Sequence, residues 1–332
     1  MIVNADEQPT NPIPAPRRSL IEELSEAVQR IPAWPFAILS LIGVFVLYQL
    51  VGGAVALLVL GTEVADSNAT ALRLVTMMGQ LIFLLVPTLV LAKLRFPHVR
   101  NFFRVGRFNI KEQLLALLAV FSLQQILQGY MTLQESVPIP IPEFLRDLID
   151  QLKVMVEEMY RSLIMAHSVP EFLFVVLVIA VTPAVCEELL FRGLIQRTLE
   201  ETDGIVEPTV QERKRRGIIA AVVAGIVFGL YHLNPFALVP LATLGVFFGF
   251  LVYRSRNILT AMTAHFVNNF AATLALYLNL DDNFVAVAPT DHPTPLMLMG
   301  NFALAVVVFV IATYYFVRST RSEQPHSAQA VS

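Results

Sequence analysis

Three short groups of polar side chains stand inside the most apolar parts of the chain. Glu187 and Glu188 are adjacent, and Arg192 follows four positions after Glu188. Phe228 and His232 are four apart, and His265 and Asn269 are four apart with Asn268 beside them. Four residues make about one helical turn, so each spacing puts both partners on one face of a helix. Glu188 and Arg192 can therefore pair, while Glu187, about 100° round the helix, points elsewhere. A carboxylate near an imidazole suits a general base acting on water. A second imidazole with an amide can donate hydrogen bonds to a developing oxyanion. Together the residues fit attack of an activated water on an amide bond.

Each group also has a plainer reading. Glu188 and Arg192 can be a buried ion pair with a spare acid facing a polar crevice. His232 can be an interfacial packing residue, and His265 with Asn269 can be an interhelical hydrogen-bond donor set. What tips the balance is their surroundings. Ionisable groups in membrane-spanning segments cost several kcal/mol unless paired, so they face the bundle interior or water. A carboxylate, two histidines and an amide on three separate segments are most simply accommodated in one wet cavity.

The elements that must position them are helices in a bilayer. Of 332 residues, 56% are apolar and 15% charged, against about 25% charged in an average soluble domain. The mean hydropathy is +0.65. Net charge is −3, with no basic domain to meet nucleic acid, and the single cysteine, Cys186, rules out an internal disulfide. Eight apolar segments of about 20 residues are predicted to span, near 36–60, 72–92, 112–132, 171–197, 217–233, 236–253, 258–280 and 295–317. The fold expected is an all-α, polytopic membrane protein with eight transmembrane helices plus amphipathic interfacial helices. Residues 1–33 read as a cytoplasmic tail, without a signal-peptide pattern, followed by an interfacial helix opened by a Ser19/Glu22 capping box. Residues 34–318 form the membrane domain, and 319–332 read as a disordered tail. Residues after Pro142 carry Leu145, Leu148, Leu152, Met155 and Met159 at helical spacing, predicting an amphipathic helix on the outer surface.

Basic residues set the orientation. Lys93–Lys111, Arg213-Lys214-Arg215-Arg216, Arg254 with Arg256, and Arg318 with Arg321 all fall on one side if both termini are cytoplasmic. The opposite loops Gly61–Thr70 and Asp281–Pro293 have no Lys or Arg. Compact loops fit a cell (inner) membrane protein. Asn68-Ala69-Thr70 matches a glycosylation acceptor, a pattern short enough to arise by chance. Small residues at Gly225 and Gly229 and at Gly245 and Gly249 predict close packing of the fifth and sixth segments. At ~1.5 Å per residue, Glu187 and His265 lie roughly 15 Å and 10 Å from the inner ends of their segments, but His232 lies roughly 22 Å from Gly217. The cavity is thus expected to open inward, with His232 out of level.

Glu-Glu-x-x-x-Arg at 187–192, Phe-x-x-x-His at 228–232 and His-x-x-x-Asn at 265–269, in this order, resemble the CPBP family of CAAX prenyl proteases and bacteriocin-processing (Abi) enzymes. The resemblance covers about residues 170–275. It implies an eight-helix intramembrane glutamic endopeptidase, in which Glu187 with His232 activates water, His265 and Asn269 form the oxyanion hole, and Glu188 and Arg192 support the site. It calls for no metal or other cofactor, and for a peptide or protein substrate in or near the bilayer. Two other readings remain open. The same Glu and His residues could hold zinc, although no His-Glu-x-x-His is present, or the chain could be a non-catalytic scaffold, immunity protein or transporter. A transporter would show an internal repeat with broken helices in both halves, and none is found. Cys186 as nucleophile is the least favoured option; a small core residue is its ordinary role.

Overall fold

The computed structural model describes residues 19–61, 69–96, 102–136, 142–201, 208–278 and 295–321. The tails 1–18 and 322–332, Asn68 and the loop 281–293 lie outside the described residues. Ten helices account for most of what is described: α1 Leu20–Gln29, α2 Ala33–Leu60, α3 Ala69–Arg95, α4 Ile110–Ser136, α5 Glu143–Ile164, α6 Val169–Leu199, α7 Val210–Tyr231, α8 Leu238–Ser255, α9 Ile258–Tyr277 and α10 Pro295–Arg321. Each of the eight predicted apolar segments has become one helix, and the two amphipathic stretches have become α1 and α5.

Six of these helices, α2, α3, α4, α6, α8 and α10, are long and apolar enough to cross a membrane. The predicted number was eight. The other two are full-length helices that fall short for identifiable reasons. The first turns of α7 include Arg213 to Arg216, and α9 carries His265, Asn268, Asn269 and three threonines. The helices that fail the test of apolarity are thus two of the three that bear the polar motifs.

Local chemistry sets the helix ends. The Ser19/Glu22 capping box is formed, and Thr209 with Glu212 makes a second one at the start of α7. Each satisfies amide donors that a helix start leaves unbonded. Asn257 caps α9 through Leu259 N and also ties down the preceding linker. Its Oδ1 accepts from Gly106 N at 3.2 Å and its Nδ2 donates to the Arg107 carbonyl at 2.9 Å. The α7–α8 turn closes with Leu233 at φ +50° and Asn234 Oδ1 accepting from Phe236 N and Ala237 N.

The small-residue stripes of α7 and α8 meet. A Cβ on Gly225 would collide with the Val246 backbone, and one on Gly245 would lie 2.5 Å from the Gly225 carbonyl oxygen. Only glycine lets these backbones approach so closely. Two apolar clusters result. One joins α2, α3, α6 and α7 around Phe191 and Phe228, and the other joins α4, α8, α9 and α10 around Phe248 and Phe316. The polar motifs lie on the seam between them. The outward faces remain apolar: on α2 alone Ile38, Leu39, Ile42, Leu50, Leu57 and Leu58 are exposed, a surface suited to lipid.

Candidate active site

The site is built from α6 outward. Pro183 stands in the first turn of a regular stretch, Thr182–Glu188, bounded by π-helical turns at Leu177–Val181 and Leu189–Gln196. Widened turns of this kind are rare and concentrate at functional positions. Two more face the same region, Val46–Gly52 in α2 and Gln80–Leu85 in α3.

Glu188 and Arg192 form the predicted pair, Oε1 to Nη1 at 2.7 Å, with no exposure at either side chain. Arg192 Nη2 donates to the Gly245 carbonyl at 2.8 Å, which binds α6 to α8 where the glycine stripe brings α8 close. The guanidinium lies over the rings of Phe228 and Phe248, 4.6 and 5.4 Å from their centroids. A carboxylate, a carbonyl and two aromatic faces hold the cation, while its Nε has no hydrogen-bond partner among the described residues.

His265 completes the assembly from α9. Its Nδ1 lies 2.9 Å from Glu188 Oε1, the same oxygen that Arg192 holds. With the carboxylate as partner, Nδ1 carries the proton and donates, which turns Nε2 toward Glu187. Nε2 and Glu187 Oε2 are 4.0 Å apart, too far for a direct hydrogen bond. Phe248 stacks on the imidazole with centroids 5.3 Å apart, and Phe228 meets it edge-on at 5.8 Å. Glu187 is the more open of the two acids. Its Oε1 accepts from Gln80 Nε2 at a long 3.4 Å, and its Oε2 is buried without a hydrogen-bond partner among the described residues. Helix spacing had divided the two acids between a pair and a free group, and they are divided so here.

The remaining motif residues stand one turn away. His232 is the C-cap of α7, its Nδ1 2.8 Å from the Phe228 carbonyl and its ring against the Phe228 ring. No ion pair joins it to Glu187 among the described residues. The level of α7 that meets His265 is Phe228, about one turn before His232. Asn269 Nδ2 donates to the Ile179 carbonyl at 2.9 Å, and its Oδ1 accepts from Asn268 Nδ2 at 3.2 Å. The motifs therefore converge in two tiers: Glu187, Glu188, Arg192 and His265 in direct contact or nearly so, and His232 with Asn269 beyond them. Cys186 is fully buried in the first apolar cluster. Among the described residues no three His, Cys, Asp or Glu side chains are grouped to hold a metal.

Sequence reasoning missed Gln80, Tyr48 beside Glu187, and the Gly245 carbonyl. The glutamine had a signal, being a lone amide in an apolar run, as does Gln49, whose Nε2 donates to the Tyr231 carbonyl at 2.7 Å. The carbonyl had none, because any residue supplies one. Also unforeseen was Arg73. It is buried and clamps the end of α5, donating through Nε to the Leu163 carbonyl at 2.9 Å and through Nη1 to Glu171 at 2.6 Å, with Met165 O as a further acceptor.

Residues 169–271 match the family model described as Rce1-like, type II CAAX prenyl endopeptidase Rce1-like. The matched segment runs from the start of α6 to the middle of α9 and contains all three motifs. No curated protein and no solved structure matches the chain. The match covers about a third of the chain and coincides with the stretch in which the motifs carry their family resemblance. With six helices among the described residues apolar enough to span, the chain is a multi-pass membrane protein.

Proposed function

We propose that the chain is an intramembrane endopeptidase that hydrolyses a peptide bond with water activated by Glu187. The observation that carries this reading is Glu187 Oε2, buried, without a hydrogen-bond partner among the described residues and 4.0 Å from His265 Nε2 within the Rce1-like segment. That separation leaves a place at the side of both groups for one water to bond each. Glu187 takes the proton of the attacking water and returns it to the leaving amine. The His265 ring is fixed by Glu188 and so presents Nε2 in one orientation. Arg192 neutralises Glu188, so the second acid adds no repulsion to Glu187. His232 and Asn269 stand a turn away. Closing toward a bound peptide, they would complete the water site and the oxyanion hole respectively.

The finer topology belongs to the same reading. All eight apolar helices span, α7 and α9 being sheltered by their neighbours, and both termini are cytoplasmic in a cell membrane. The substrate class is the tail or membrane-proximal segment of a protein or peptide.

The test is cleavage of a peptide library by purified protein in detergent or nanodiscs, with Glu187→Gln and His265→Ala alongside. Wild type is expected to cut, Glu187→Gln to lose activity about 10³-fold, and His265→Ala to lose it by a similar order. Both variants cutting at the wild-type rate would overturn the mechanism.

A further inference from the structure

A cavity of about 200 Å³ lies between α4 and α9, beside the candidate active site. Its polar lining is made of amides: Gln124, Gln125 and Gln128 from α4 and Asn268 from α9, with Ala271 and Ala272 as small wall residues. Gln124 Oε1 and Asn268 Oδ1 are both buried and have no hydrogen-bond partner among the described residues. A buried amide oxygen without a hydrogen bond costs about 1–3 kcal/mol. Four amide side chains on two apolar helices are not explained by packing, and a lipid chain offers them nothing to bond. What the Gln124 and Asn268 oxygens lack is N–H donors.

The cavity is joined to the site by a chain of hydrogen bonds. Asn268 donates to Asn269, and Asn269 donates to the Ile179 carbonyl on α6. Asn268 is also three positions from His265, a rise of ~4.5 Å along α9. One residue of extended peptide covers ~3.3 Å. A bond being cut beside His265 would therefore have its neighbouring residues at the level of the cavity.

The substrate's own physics supplies the missing donors. A peptide bond inside a helix is sheathed by side chains and its carbonyl is already bonded, so the bond to be cut must be unwound. Unwound backbone inside a bilayer leaves N–H and C=O groups that must find partners. Glutamine and asparagine provide both donor and acceptor. The geometry points to a backbone-binding subsite: an unwound stretch of peptide substrate, one or two residues from the bond being cut, donates its backbone N–H groups to Gln124 Oε1 and Asn268 Oδ1 once these buried oxygens turn toward the cavity. A dry cavity of about 150 Å³ holds benzene, so this one has room for about one side chain with its flanking amide. The inference rests on the peptidase reading and adds to it that recognition is of unwound backbone rather than of a particular side chain.

Gln124 is the position to test, because Asn268 also holds Asn269. With a fluorogenic peptide taken from the library, Gln124→Leu and the cavity-filling Ala272→Trp are each expected to raise KM about tenfold while kcat stays within about twofold. Gln124→Leu makes α4 more apolar, so it should fold, and a melting curve of each variant checks this. A second measurement needs no turnover. Benzoylphenylalanine is placed at Ala271 in Glu187→Gln protein in nanodiscs and irradiated with biotinylated, unstructured twelve-residue peptides from the library. Biotin transfer to the protein is expected, and its loss on adding Gln124→Leu. Unchanged KM in both variants, or cross-linking that Gln124→Leu leaves intact, or adducts with bilayer lipid alone, would overturn the subsite. If wild type cuts nothing but the Gln124-dependent cross-link forms, the subsite stands and the peptidase reading fails. If wild type cuts with KM insensitive to both variants, the reverse holds.

Discussion

Helix α6 ends in a second cluster of acid and arginine that invites comparison with the first. At Glu188 one carboxylate meets one guanidinium and one imidazole, with the pair wholly buried. At Glu200, just past the end of α6, one carboxylate meets Arg104, Arg197 at 3.4 Å and Arg256 at 3.3 Å. The adjacent Glu201 holds Arg95 at 3.0 Å. The ingredients are alike, but the surplus has opposite sign. The inner cluster has an acid to spare, Glu187, and the end cluster has guanidiniums to spare. Burial differs as well, since Arg256 at Glu200 is half exposed and Arg192 is not exposed at all. A surplus carboxylate beside a fixed imidazole is a reactive group. Surplus guanidiniums at a helix end tie together the 102–109 linker, α6 and the α8–α9 turn.

The largest expected difference between the clusters is functional. Glu187→Gln should lower peptide cleavage about 10³-fold while the melting temperature barely moves, because among the described residues Glu187 has a long 3.4 Å bond from Gln80 and a 4.0 Å approach to His265 to lose. Glu200→Gln should leave kcat within about threefold and lower the melting temperature. If Glu200→Gln is as inactive as Glu187→Gln in protein that is still folded, the division between reactive and structural clusters is wrong.

Next in size is the cost of breaking the buried pair. Arg192→Leu leaves Glu188 without its counter-charge, and removing one partner of a buried pair costs about 3–5 kcal/mol. Thermal unfolding in detergent should show this. The double variant Glu188→Leu with Arg192→Leu should recover much of the loss, because the charge left behind goes too. Activity should not return, as His265 would then lack the carboxylate that orients it. Glu200→Gln is expected to cost less, about 1–2 kcal/mol, since its three guanidiniums keep some access to water. Arg256→Ala, at the exposed edge, should cost about 0.5 kcal/mol or less.

The two clusters were not equally legible. Glu188 with Arg192 was readable because the spacing of four survives the π-helical turn that follows Glu188. The helices were readable because apolar runs of spanning length leave little choice of structure. Convergence of the three motifs followed from the high cost of burying each one alone. The partner of Glu187 was another matter. The family resemblance implies His232 as its partner, and the histidine within 4.0 Å of it here is His265. Spacing along a helix fixes which face a residue occupies, but not how far two helices are offset along their axes, and one turn of offset decides which imidazole is near. The Glu200 cluster was invisible for a related reason. Arg104, Arg197 and Arg256 are widely separated in sequence, and two of them, Arg104 and Arg256, reach it from left-handed backbone at φ +53° and +54°. Basic residues near helix ends read only as orientation signals.

Acid titration offers the smallest and most selective contrast. Burial works to raise the Glu200 carboxyl, but Arg104 first, then Arg256 and Arg197, overcome it and hold the group below the ordinary glutamate value of 4.5. The same burial draws Arg104 down to about 10. A carboxyl with a lower pKa folded than unfolded contributes stability that is complete above the unfolded value and is lost as pH falls through the folded one. The melting temperature of wild type should therefore hold between pH 7 and 5 and drop below about 4.5. Glu212, lowered by its bonds to Thr209 in the α7 capping box, adds to the same drop. Part of the fall should be missing in Glu200→Gln, whose amide does not titrate, and that variant should approach wild type in acid. A wild-type and a Glu200→Gln curve that stay parallel down to pH 3 would mean that the cluster stabilises nothing through its charge. Its arginines would then be orientation signals alone.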